Sequence, residues 1–141
     1  DSAWNGVDFV NCSKDGTDAA IITYGPMLQN VMDAAQSLEQ KGLQVKVLRL
    51  LCVNPLPVEQ IVKELGHIRH VVIVEEIAAG CGIADTLAQK LYTLCSNMQI
   101  KCMDLGDRFV PHGSVQKLYE HCGVDSQSIA DKTLEVLGHE K

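Results

Sequence analysis

The sequence predicts an α/β fold in three layers, with helices on both faces of a largely parallel sheet, and three observations lead there. Short apolar, β-branched runs recur along the chain, amphipathic helical patterns separate them, and Gly, Asp or Pro bounds most segments. Strands alternating with helices form right-handed βαβ units, whose parallel sheet is covered on both sides.

The first element is weakly marked. Val7-Asp8-Phe9-Val10-Asn11 reads as a strand closed by a turn at Lys14-Asp15-Gly16. Ala19-Ala20-Ile21-Ile22-Thr23-Tyr24 follows, a run apolar enough for a strand buried on both faces. Leu28, Val31, Met32, Ala35 and Leu38 then recur at helical spacing, and Lys41-Gly42 ends that helix with a cation and a glycine. A second buried strand spans Val45 to Leu51. The next helix carries Val58, Ile61, Val62 and Leu65, with Pro57 suited to its first turn and Gly66 past its end. His70 to Val74 forms a third buried strand, and Ala84, Leu87, Ala88, Leu91 and Cys95 mark a third helix. Ile100 to Leu105 alternates as an edge strand does. Two helical patterns close the chain: Val115, Leu118, Tyr119 and Cys122, then Ala130, Thr133, Leu134 and Leu137, the last with Asp125 placed to cap it.

A length of 141 residues suits a single domain over 1–141, with 1–6 and 138–141 expected to be loosely ordered. At that size a chain buries roughly 70% of its unfolded surface, enough for a core without disulfides or metal. Aromatic residues are 4% and hydrophobic residues 46%, so the core is aliphatic. The chain opens on Asp1 rather than Met, which suggests a piece of something longer. No signal-peptide pattern and no apolar run near the roughly 20 residues of a membrane helix is present, so no membrane partner is expected. A net charge of −6 without a Lys/Arg cluster argues against nucleic acid. Six cysteines stand far apart with no C-x-x-C pair, and most lie in apolar patterns. They read as reduced thiols packed as small hydrophobes in a cytoplasmic protein, with neither zinc nor disulfides.

Chemistry-bearing motifs are few. Val74-Glu75-Glu76 followed by Gly80-Cys81-Gly82 is a strand–glycine–helix turn, whose backbone N–H groups suit an anion. The third glycine of a dinucleotide fingerprint is replaced by Asp85, so the glycines more simply let the helix pack close to the sheet. Glu75 and Glu76 cannot face one substrate as an acid–base pair if both extend the strand, because neighbours point to opposite faces. They read as a helix-cap partner and a solvated charge. His112, in the polar segment Asp107 to Ser114, reads as a loop or capping histidine. There is no nucleophile elbow and no P-loop. No catalytic, cofactor-binding or metal-ligating residue is assigned from this pattern.

Four segments in order resemble one family. Asp18 to Gly25 resembles the first central strand of the transketolase C-terminal domain, and Val53-Asn54-Pro55-Leu56 its strand-to-helix link. Val74-Glu75-Glu76 with Gly80-Cys81-Gly82 is similar to its glycine-rich turn. Asp107-Arg108-Phe109-Val110-Pro111-His112-Gly113-Ser114, with Leu118 and Gly123-Val124-Asp125, is most similar to the family's 1-deoxy-D-xylulose-5-phosphate synthases. The resemblance implies a five-stranded, mostly parallel sheet with one antiparallel edge strand, which the Val7–Asn11 segment would supply. It also implies a dimeric transferase that moves a two-carbon unit with thiamine diphosphate and magnesium, serving isoprenoid precursor synthesis. The cofactors would be held by preceding domains of the same or a second chain, and this domain would serve packing and dimer support. The chain departs from the synthases at Leu51, Cys52 and Pro57, and has Ala79-Gly80 where they carry two glycines. Two alternatives therefore stay open: the non-catalytic part of a split transketolase, or a stand-alone module binding a phosphorylated or nucleotide ligand at Gly80–Gly82.

Overall fold

The computed structural model describes residues 9–51, 56–75, 83–103 and 126–138. Five strands, β1 (Val10–Lys14), β2 (Ala19–Thr23), β3 (Val45–Leu50), β4 (His70–Val74) and β5 (Gln99–Met103), form one sheet in the order β1-β3-β2-β4-β5. Described helices are α1 (Leu28–Gln40), α2 (Val58–Leu65), α3 (Ala84–Leu94) and α4 (Ser126–Val136), with a short 3-10 turn at Gly25–Met27 before α1. β2, β3, β4 and β5 run parallel, and β1 is antiparallel to β3, as the family resemblance implied.

Burial explains the order. Every residue of β2 is buried, as are Val71 to Val74 of β4, and these two strands lie side by side at the centre. Their alternate residues enter different cores. Ile21, Val47, Val72 and Val74 pack under α1 and α4, whereas Ala20, Ile22, Leu48, Val71 and Ile73 pack under α2 and α3. A central strand must therefore be apolar at every position, and Ala19–Thr23 is so apart from Thr23. The chain moves from β2 to β3 through α1 on one face, then back across β2 to β4 and on to β5 through α2 and α3 on the other. The helix changes face when the direction of travel changes, as one handedness of crossover requires.

The end of α1 follows the signal in the sequence. Gly42 N–H donates to the Glu39 carbonyl at 2.9 Å and Leu43 N–H to the Leu38 carbonyl at 3.0 Å. Gly42 has φ +90°, which a side chain would strain, and Leu38 and Leu43 share one core.

Four strands differ from expectation at a boundary: β2 and β3 each end one residue early, at Thr23 and Leu50, and the two edge strands are displaced. The first strand is Val10–Lys14 rather than Val7–Asn11, so Lys14 ends the strand instead of opening the turn. An irregularity between Cys12 and Lys14 shifts the pairing from Leu48 to Val47, letting the ladder run on. Gly16 is a glycine for closeness. A Cβ there would lie 2.5 Å from the Val45 carbonyl carbon, while Thr17 and Asp18 N–H groups both donate to the Gln44 carbonyl, at 3.1 and 2.8 Å. The edge strand at the other side is Gln99–Met103; Asp104 and Leu105 lie outside the described residues. The last helix begins at Ser126 and buries Ile129 ahead of the expected Ala130, Thr133 and Leu134. Its proposed cap Asp125 and the pattern Val115 to Cys122 lie outside the described residues, as do Val7 and Asp8.

The described cysteines correct another expectation. Cys12 and Cys102 are exposed on the two edge strands, and Cys95 is half-buried; all three are reduced. A strand at an edge is covered incompletely, so a small apolar side chain there stays in solvent. Cys52, Cys81 and Cys122 lie outside the described residues.

Candidate functional site

In open parallel sheets the ligand crevice lies beyond the carboxyl ends of two neighbouring strands whose connections leave in opposite directions. Here those strands are β2 and β4, since the chain leaves β2 towards β3 and leaves β4 towards β5. The residue after each strand is Tyr24 and Glu75, respectively.

These two side chains meet although 51 positions separate them. Tyr24 Oη donates to Glu75 Oε2 at 2.9 Å. The same oxygen accepts the Ile83 N–H at 3.0 Å, and Oε1 accepts the Ala84 N–H at 3.4 Å. Ile83 precedes the first residue of α3 and has no side-chain oxygen to cap the helix. Glu75 supplies that oxygen from the sheet, and its charge sits at the positive end of the helix. One turn of backbone below, Thr23 Oγ1 donates to the Val74 carbonyl at 3.0 Å and Glu75 N–H donates to the Met103 carbonyl at 2.9 Å. The carboxyl ends of β2, β4 and β5 and the start of α3 are thus tied into one network.

Glu75 is 2% exposed, and the donors around it are Tyr24, Ile83 and Ala84. A buried carboxylate is tolerated on those terms, because hydrogen bonds replace the water it has lost. Its oxygens are committed to the protein's own donors, which suits a brace better than a general base. Burial pushes the Tyr24 phenol well above the usual tyrosine range, and the Glu75 carboxylate adds to that by hydrogen bonding and by charge.

Tyr24 therefore favours folding in its protonated form. That contribution is present below the ordinary tyrosine pKa of about 10 and is lost as pH rises through it towards the raised folded value. Alkaline difference absorbance should show a last ionisation step, coincident with unfolding, that Tyr24→Phe removes. Persistence of that step in the variant would assign it elsewhere.

Sequence reasoning gave the Glu75–Glu76 pair one helix-cap partner and one solvated charge, and the structure makes Glu75 the cap partner. It read Tyr24 as the end of a strand and missed the hydroxyl's partner; two polar residues each following an apolar strand was the available signal. Glu76, the Gly80–Gly82 turn, Ala79 and His112 lie outside the described residues. Among the described residues no three His, Cys, Asp or Glu side chains come together to hold a metal. An open groove between α2 and α3 is lined by Val58, Glu59, Gln89, Lys90, Thr93 and Leu94, a mixed set without a convergent polar cluster.

Comparisons with known proteins agree with this architecture. The family described as the transketolase C-terminal domain matches residues 9–129. A 1-deoxy-D-xylulose-5-phosphate synthase of Bacillus mycoides (strain KBAB4) is 32% identical over 84% of the chain, which spans 19% of that relative. The synthase of Bacillus cereus (strain B4264) is 31% identical over the same share. The chain therefore corresponds to about a fifth of the length of these curated relatives. Among solved structures, a split gene transketolase described as an inactive β4 tetramer superimposes with a TM-score of 0.80 at 21% identity, covering 94% of this chain and 42% of that one. A 2-oxoglutarate:ferredoxin oxidoreductase from Magnetococcus marinus gives 0.59 at 19% identity, over 91% of this chain and 19% of its own. With the sheet order, the antiparallel edge and the family match in agreement, the chain belongs to the transketolase C-terminal domain family.

Proposed function

We propose that the chain is a single non-catalytic C-terminal domain of a cytoplasmic, thiamine-diphosphate-dependent transferase of the 1-deoxy-D-xylulose-5-phosphate synthase kind, bracing the cofactor-bearing domains and supporting a dimer. The observation that carries this reading is the Glu75 carboxylate at the start of α3. The place where a sheet of this topology would receive an anion holds the chain's own anion, bonded to Ile83 and Ala84. A diphosphate there would meet like charge and N–H groups already used. The described residues therefore do not fit thiamine diphosphate with magnesium, and the same argument weighs against a stand-alone module for phosphorylated ligands. None of the described helices is long and apolar enough to cross a membrane.

Calorimetry with thiamine diphosphate and Mg²⁺ should give no heat of binding to this chain. A dissociation constant in the micromolar range or tighter would overturn the proposal. As a positive arm, the chain grafted in place of the corresponding segment of the Bacillus mycoides synthase should keep product formation; a folded chimera without activity would count against it. A second reading, the non-catalytic part of a split transketolase, is favoured by the 0.80 superposition on a split-gene chain. It predicts that activity returns when this chain is mixed with a separate cofactor-bearing chain.

A further inference from the structure

We draw no further inference here: the strongest candidate, the groove between α2 and α3 with the exposed Leu94 on its wall, carries none, because nothing in the structure shows what covers it.

Discussion

Glu75→Ala is expected to lower stability by about 2–4 kcal/mol, the sum of a lost helix cap and of buried donors left without an acceptor. Three donors lose their partner at once: Tyr24 Oη, Ile83 N–H and Ala84 N–H. The gain from no longer burying a charge offsets part of this loss but not the unpaired amides, which have no other acceptor among the described residues. Urea unfolding followed by circular dichroism measures it, with a midpoint lower by about 1–2 M for a typical urea dependence. Glu75→Gln keeps one acceptor oxygen and puts an amide donor where the other stood, so it should fall between wild type and Glu75→Ala. A loss under about 1 kcal/mol for the alanine variant would mean that water reaches α3's first turn freely. Tyr24→Phe in both backgrounds completes a cycle, and the coupling should be positive because the two residues share one hydrogen bond.

The second large effect belongs to the core. Ile22 and Ile73 are neighbours on β2 and β4, fully buried, and face α2 and α3 together. Truncating either to alanine removes the transfer energy of three carbons and leaves a cavity that packed helices fill only in part, a cost of about 2–5 kcal/mol. The double variant should depart from additivity, because the two cavities merge into one. Urea melts that show less than about 1 kcal/mol for Ile22→Ala would contradict the central placement of β2.

What the sequence determined by itself was whatever one segment could state alone. β2, β3 and β4 were legible because a strand buried on both faces has to be apolar along its length, and Ala19–Thr23 and Val71–Val74 meet that demand locally. The end of α1 was legible for the same reason: Gly42 and Leu43 complete a motif within a few residues. Edge strands were blurred, since half of their surface is in water and burial constrains few of their residues; hence the three-residue shift of β1.

Tertiary structure decided the rest. A cap partner was readable within the Glu75–Glu76 pair, but the bond of Glu75 to Tyr24 depends on β2 and β4 being adjacent, which follows from the strand order and not from either segment. Gly16 looked like a turn glycine, and its reason is the backbone of Val45, 29 positions on, pressing where a Cβ would stand. Tyr92 was not singled out in the sequence, and its hydroxyl meets the Ile100 amide and carbonyl only because α3 packs beside β5. In each case the sequence carries the residue, but the distance that gives it meaning is set by how the sheet is ordered, and that order is a property of the whole core.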